Sequence, residues 1–225
     1  MNDYLQNERL DEPGAVKQRL ARYFSELQQG SSLLQKRFGK LETIAVTVVA
    51  IRLYPAMGIA NFRRNPEFKA VYYIFYEMLR QKLAQEKALL EMRQYKNIFM
   101  LVFEAGSKQQ KEVIKLLRSL YRFWQWIDLA LASCGKDLRV TAAMAVDYGR
   151  THFTRETEDT SKYVWLGDVL ERADILCNNA AAAPYPDLLI SQAVYQELDI
   201  KAQELFPKAY YINHIACYGC DLQTL

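Results

Sequence analysis

The pattern of hydrophobic and polar positions predicts strands and helices in alternation from about residue 41 onwards. Residues 43–53 are mostly β-branched and apolar over the length of one strand, which is typical of a central strand covered on both faces. Apolar positions recur at three- and four-residue steps over residues 67–87 and again over 111–132. These two stretches predict long helices that face the core.

Shorter apolar runs predict the remaining elements. First we predict strands over 88–92 and 98–103, joined by the polar residues 93–97, and then strands over 138–146 and 163–166, joined by an exposed loop over 151–162. A helix over 169–183 and a strand over 188–191 follow. The last predicted elements are a short helix over 192–198 and terminal strands from about 208. This order matches two interleaved βαβ units around a mixed sheet, a ferredoxin-like α+β plan.

The N-terminal residues 1–40 are predicted to form a tail and helical lead-in to a single domain over 41–225. Residues 1–13 are polar, and 16–41 carry apolar positions at helical spacing that are interrupted by Gly30-Ser31-Ser32. Two short amphipathic helices are expected there. They pack against the domain or act as a dimerising, signal-transmitting segment, and the pattern leaves both open.

Composition and charge narrow the class of protein. Half of the residues are hydrophobic, which suits a well-packed globular core. Lys and Arg exceed Asp and Glu by only three and are dispersed, so nucleic acid is not an expected partner. No apolar run is long enough to span a bilayer, and the polar start does not resemble a secretory signal. We therefore expect a cytoplasmic protein.

Two residue groups suggest special chemistry but favour ordinary packing. Cys217 and Cys220 have CxxC spacing, but the chain has only two histidines and no second cysteine pair, so ordinary reduced thiols are favoured over a zinc or redox site. Four aromatic residues of one predicted helix are interpreted as core packing rather than a ligand cage: Tyr121, Phe123, Trp124 and Trp126.

Three segments together resemble the class III adenylate and guanylate cyclases. Residues 163–176 (YVWLGDVLERADIL) are similar to the family's strand ending in Gly-Asp and the helix that follows it. Residues 189–198 (LISQAVYQEL) resemble a later strand that closes on Ser before a short helix, and 142–149 (AAMAVDYG) resemble a strand ending in glycine. The resemblance covers roughly residues 41–198. It implies a cyclase-type, mostly antiparallel mixed sheet with helices packed on it.

The resemblance also implies a particular site. Family members are antiparallel dimers whose sites lie at the subunit interface. Two aspartates hold two divalent cations there, and an Asn and an Arg from the partner subunit orient the ribose and neutralise charge on the phosphates. A homodimer of this chain is therefore expected, with a nucleotide or a signalling protein as possible further partners.

The four family positions carry other residues here. Ala50, in the run AIRLY, corresponds to the first metal-binding aspartate, and Asn97 to the second. On the helix, Glu171 stands for the Asn and Ile175 for the Arg. A methyl group cannot ligate Mg²⁺, and neither a carboxylate nor an isoleucine neutralises phosphate charge. We therefore expect no catalytic residue, no bound metal and no cofactor.

The leading hypothesis is thus an inactive cyclase-like module that dimerises or regulates a partner. One alternative is a divergent active cyclase that binds Mg²⁺ or Mn²⁺ through rearranged carboxylates: Asp147, Asp168, Glu171 and Asp174. Another is a nucleotide sensor without metal, for which the candidate nucleotide- or anion-binding residues are Arg52, Lys96, Asp168 and Arg172. Against these roles, Asp168 is also predicted to cap the following helix, Glu171 and Arg172 to be exposed, and Ile175 to lie in the core.

Overall fold

The computed structural model describes residues 21, 25, 42–55, 66–84, 86–95, 97–105, 109–133, 140–155 and 163–224. The predicted tail over 1–13 and the lead-in helices over 16–41 lie outside this part of the chain, except for Ala21 and Ser25, which are helical. The division of the chain at residue 40 therefore stays a prediction.

The described elements alternate between strands and helices along the chain. They are β1 (Glu42–Pro55), α1 (Pro66–Leu83), β2 (Leu89–Tyr95), β3 (Ile98–Glu104), α2 (Gln109–Ser133), β4 (Val140–Arg155), β5 (Tyr163–Leu166), α3 (Asp168–Asn179), β6 (Leu188–Ser191), α4 (Gln192–Glu197), α5 (Ile200–Gln203), β7 (Lys208–Ile212), β8 (Ile215–Cys220) and a 3₁₀ helix (Leu222–Thr224).

The strands form one sheet in the order β2-β3-β1-β4-β6-β8-β7, and β5 pairs with β4 outside this path. The pairs β1/β3, β2/β3, β6/β8 and β7/β8 are antiparallel, and β4/β6 is parallel. A mixed, mostly antiparallel sheet with helices confirms the predicted α+β class. No described helix is both long enough and apolar enough to cross a bilayer.

The two faces of β1 have different neighbours because successive side chains of a strand point to opposite faces. Val49, Ile51 and Leu53 belong to the main hydrophobic core, together with residues of α1 and α2. In that core the ring of Phe75 lies 5.5 Å from Phe99. Ala50, Arg52 and Tyr54 alternate with these residues and therefore point to the opposite face.

β4 is longer than the sequence pattern predicts. The predicted strand stops at residue 146 and is followed by an exposed loop from 151, but β4 continues to Arg155. Thr151 and Thr154 are both buried, and the hydroxyl of Thr151 donates to the carbonyl oxygen of Leu166 at 3.2 Å. The loop prediction is wrong for 151–155 because polar threonine side chains are buried in this strand. Residues 156–162 lie outside the described chain.

Three other predicted boundaries are wrong. β2 extends through the polar residues up to Tyr95, which pairs with Ile98, so the hairpin connection is two residues rather than five. α1 ends at Leu83 rather than 87, where three-residue turns replace helical hydrogen bonds. α3 ends at Asn179 rather than 183, because Ala180 has an extended ψ of 144° and Ala181 a φ of 61°.

Contacts between Cα atoms divide the chain into two units. The larger unit contains Thr43–Thr151 and Leu166–Leu225. In the other unit, the described residues are Ala21, Ser25, Glu42, the end of β4 from His152 and the first three residues of β5. Three rings from these two strands cluster within that unit: Phe153 lies 5.8 Å from Tyr163 and 5.4 Å from Trp165. These ring contacts join the end of β4 to β5.

Candidate functional site

Strand pairing brings Ala50, Arg52 and Asn97 to the same end of the sheet. Ala50 lies opposite Met100 and is fully buried. Arg52 lies opposite Ile98, the first residue of β3. Asn97 immediately precedes Ile98 and belongs to the two-residue turn between β2 and β3. The turn therefore lies beside the last residues of β1. Lys96, the other residue of the turn, is outside the described chain.

Arg52 is a cation whose hydrogen-bonding capacity is only partly used. Its Nη1 donates to the hydroxyl of Tyr54 at 3.2 Å, and its guanidinium carbon lies 5.1 Å from the centre of that ring. The Tyr54 hydroxyl in turn donates to the carbonyl oxygen of Cys177 at 3.4 Å, and burial raises the pKa of Tyr54. The Arg52 Nε is buried and has no hydrogen-bond partner. Arg52 therefore retains an unused donor beside α3.

A small polar cluster formed by Arg52, Tyr54, Asp174 and Cys177 lies between β1 and α3. Cys177 is fully buried, and its thiol donates to the carbonyl oxygen of Ala143 at 3.6 Å. Burial raises the pKa of the Cys177 thiol, Arg52 opposes this shift, and Asp174 adds to it. Asp174 Oδ1 is buried without a hydrogen-bond partner. The sequence singled out Arg52 and Asp174 separately, but no pattern in it indicated that Tyr54 and Cys177 join them.

The carboxylate of Asp147 and the guanidinium of Arg172 form an ion pair between β4 and α3. Asp147 is fully buried, and its Oδ2 accepts from the Nε of Arg172 at 2.7 Å. Its Oδ1 accepts from the backbone N–H of Tyr148 at 2.8 Å. One third of the Arg172 side chain remains exposed. The prediction that Arg172 is simply exposed is therefore wrong, because a buried carboxylate holds part of its side chain. Its candidate role as an anion-binding residue stays a prediction.

Gly149 permits this close approach of α3 to β4. A Cβ atom at Gly149 would lie 2.9 Å from Val169 Cγ2 and 3.2 Å from Arg172 Nη2. The glycine resembles the one that ends a strand in the cyclases, but here β4 continues six residues beyond it to Arg155. Its physical role in this chain is to leave space for α3.

The structure places the other α3 residues as follows. Asp168 is not the helix cap: Gly167 occupies that position, and no side chain caps the helix. Asp168 is instead 83% exposed in the first turn, with its carboxylate 3.7 Å from Arg172 Nη1. Glu171 is exposed, as predicted, whereas Ile175 is half-buried rather than fully in the core. Among the described residues, no three His, Cys, Asp or Glu side chains form a group placed to hold a metal ion.

The CxxC cysteines do not converge. Residues three apart in a strand point to opposite faces, and Cys220 belongs to the main core cluster whereas Cys217 does not. Both are free and buried, and burial raises the pKa of Cys217 to about 11 and that of Cys220 to about 12. Thiols with these pKa values are almost fully protonated at neutral pH, which suits structural rather than reactive cysteines.

Comparisons with known proteins rest on structure. No family model matches the sequence, and no curated protein matches it. Solved structures do match. The adenylyl cyclase CyaB from P. aeruginosa has a TM-score of 0.61 at 10% identity, over 80% of this chain and 94% of that one. The guanylyl cyclase Cya2 has a TM-score of 0.60 at 10% identity, over 79% and 91%.

A third similar structure is that of a protein described as a class III adenylyl cyclase-like ATP-binding protein from Pseudomonas aeruginosa. Its TM-score is 0.60 at 11% identity, over 97% of this chain and 53% of that one. At such low identity, similarity of structure establishes the fold rather than the activity. The chain therefore has the fold of the class III adenylyl and guanylyl cyclase domains.

Proposed function

We propose that this chain is an inactive cyclase-like domain that works in signalling as a dimerising or regulatory module. The observation that carries the proposal concerns Ala50, whose methyl group is fully buried. By the resemblance to the cyclases, Ala50 occupies the strand position where the family has its first metal-binding aspartate. Mg²⁺ and Mn²⁺ bind oxygen ligands, and a methyl group offers none. Without the metal pair, the ribose hydroxyl and the triphosphate lose their main source of activation and charge neutralisation.

The other replaced positions act in the same direction. Asn97 offers a neutral amide oxygen in place of a carboxylate. Glu171 places an exposed carboxylate where polyphosphate charge would need a neutral or cationic group, and Ile175 offers no charge. Arg172 does not replace the missing arginine, because it pairs with the buried Asp147. A symmetric homodimer takes both halves of its site from the same sequence, so the partner subunit supplies no rescue.

The proposal predicts no cyclase activity. The purified chain, residues 1–225, incubated with ATP, GTP, CTP or UTP and Mn²⁺ is expected to give no cyclic nucleotide above a protein-free blank, as measured by chromatography and mass spectrometry. An active class III cyclase domain in the same buffer serves as the positive control. Cyclic product that disappears in the Asp168→Asn variant would establish catalysis by rearranged carboxylates and overturn the proposal. Asp168 suits this role because its side chain is mostly exposed, so the substitution leaves the fold intact.

A second candidate function, nucleotide binding without metal, is favoured by one observation. Arg52 is a partly exposed cation beside the β2–β3 turn, and its guanidinium has more N–H donors than its hydrogen bond to Tyr54 uses, so it could also bind a phosphate. One structurally similar protein is also described as ATP-binding. In this case the chain acts as a nucleotide sensor.

This second candidate predicts ligand-induced stabilisation in EDTA. ATP or GTP at 100 times its Kd would stabilise the native state by about 2.7 kcal/mol, because it binds only the folded chain. Differential scanning fluorimetry would show a higher Tm for the wild-type chain and a lost response for Arg52→Gln. Arg80→Gln, at an exposed helix position, is the matched control. An unchanged Tm at millimolar nucleotide would exclude the sensor function.

A further inference from the structure

An open groove of about 530 Å³ lies on the α2 side of the sheet. Its walls are side chains of α2, the first residues of β4, and the segments around Asp187 and the 3₁₀ helix. Val140 and Ala142 of β4 belong to the main core, so the groove is on the face opposite to Ala50, Arg52 and Tyr54. It is therefore separate from the sheet face that carries Ala50 and Arg52.

We propose that this groove binds a small organic cation, an ammonium group carried on an apolar or aromatic body. Three features carry the inference: aromatic side chains of α2 that include one largely exposed tryptophan, a half-buried carboxylate, and the lack of a cationic side chain among the described residues of the lining. The ligand's apolar body would lie on the aromatic wall, and its ammonium group would meet the carboxylate.

Three aromatic side chains of α2, those of Tyr121, Trp124 and Trp126, line the groove and form its aromatic wall. Trp124 is buried and packs edge-on against Phe75, with ring centres 6.2 Å apart. Trp126 and Leu129 are each 68% exposed, and both line the groove. The interpretation of the aromatic set as core packing is therefore right for Trp124 and wrong for Trp126, while the side chain of Phe123 lies outside the described chain. An exposed indole leaves a large apolar surface, of the kind that binding sites commonly use.

The carboxylate is that of Asp187, which immediately precedes β6. Asp187 is half-buried; burial and the nearby Asp221 raise its pKa, while a hydrogen bond from the backbone N–H of Leu222 opposes that shift. None of the described residues lining the groove is Lys or Arg. Asp187 thus lies in partly desolvated surroundings, and no lining residue that the structure describes offsets its charge with a cation, so a cationic ligand would relieve an existing electrostatic cost.

These features select one class of ligand. An ammonium group gains both a charge-assisted hydrogen bond to a carboxylate and attraction to the face of an indole ring. The volume falls within the range of pockets that hold small organic ligands, roughly 300–1,000 Å³. Anions are disfavoured by Asp187 and Asp221 together, so a nucleotide is not the expected occupant. The apolar wall favours a ligand with a hydrophobic body over a bare metal or ammonium ion.

The test compares three probes that share a phenyl ring and differ in charge. Isothermal titration or ligand-detected NMR on the full chain at pH 7 would use 2-phenylethylamine, neutral 2-phenylethanol and anionic 3-phenylpropanoate. We expect the amine to bind and the alcohol to bind at least about tenfold more weakly, because it lacks the charge-assisted bond. Asp187→Asn should weaken amine binding by about tenfold or more, and Trp126→Ala should weaken it several-fold.

The variants are chosen so that folding and binding can be separated. Asn at position 187 retains an oxygen that accepts from the Leu222 N–H, and Trp126 is mostly exposed, so thermal melts of both variants should stay close to wild type. Glu204→Gln removes an exposed carboxylate outside the groove and should leave amine binding unchanged. Equal binding of amine and alcohol, unchanged binding by Asp187→Asn, or no amine binding at millimolar concentration would overturn the proposal.

Discussion

Replacing Arg172 with alanine is expected to lower the free energy of unfolding by about 2–4 kcal/mol. The substitution leaves the carboxylate of Asp147 fully buried without its cation, so a charge remains desolvated and unpaired. The expected cost is somewhat below that of a completely buried pair because one third of Arg172 is exposed. Urea denaturation followed by circular dichroism would measure the change from the transition midpoint and slope.

Asp168→Asn is the matched control for this prediction. Asp168 also faces Arg172, but it is 83% exposed and 3.7 Å away, so its removal should cost no more than about 0.5 kcal/mol. The double variant Asp147→Asn/Arg172→Ala should be destabilised less than the sum of its single variants, because the neutral amide no longer leaves an unpaired charge. If Arg172→Ala unfolds at the wild-type urea concentration, the pair does not hold α3 against β4.

The Ala50→Asp variant is expected to be less stable than the wild-type chain by about 2–4 kcal/mol in the absence of metal, because it places a carboxylate at a fully buried position. Combining it with Asn97→Asp would restore both acidic positions that the resemblance to cyclases implies. Mn²⁺ is then expected to recover part of the lost stability, since a metal bound only by the native state raises the Tm. Scanning fluorimetry with and without millimolar Mn²⁺ would measure this difference.

Ala145→Asp provides the control for metal specificity. Ala145 is also fully buried, on β4, so its replacement should destabilise the chain to a similar extent. No metal-binding position is implied there, and Mn²⁺ should not restore stability. Two results would contradict the assignment: recovery in Ala145→Asp equal to that in the double variant, or no recovery in Ala50→Asp/Asn97→Asp. Either result would mean that Ala50 and Asn97 do not occupy the family's metal positions.

Much of the fold follows from periodicity, but several boundaries do not. The structure confirms four predicted strands, over 43–53, 98–103, 163–166 and 188–191. Runs of β-branched and apolar residues suit a strand whichever neighbouring strands it pairs with, so residue type alone was sufficient to predict them. The end of β4 was missed because Thr151 and Thr154 are polar residues that the fold buries. The pattern extends α1 four residues too far, to residue 87, because residues 84–87 are good helix formers whose local preference yields to the turn leading into β2.

The candidate site divides in the same way between local and tertiary information. The residue types at positions 50, 97, 171 and 175 are a property of the sequence, and the proposed loss of metal-binding carboxylates rests on them. Whether a charged side chain is exposed or already paired with another charge is not a property of the sequence. Arg172 was predicted to be exposed, yet it pairs with a carboxylate 25 residues earlier. No sequence pattern marks Asp187, because the aromatic side chains that line the same groove belong to α2, far away along the chain.

The amino-acid sequence by itself thus determined the succession of strands and helices and the resemblance to the cyclases, because both depend on residue type and short-range spacing. Only the tertiary structure decided which polar groups are buried, paired or left without partners. Those outcomes arise where β4 meets α3, where β1 meets α3, and where α2 meets the segment before β6. Charges interact over a few ångströms in space, and chain separation carries no information about that distance.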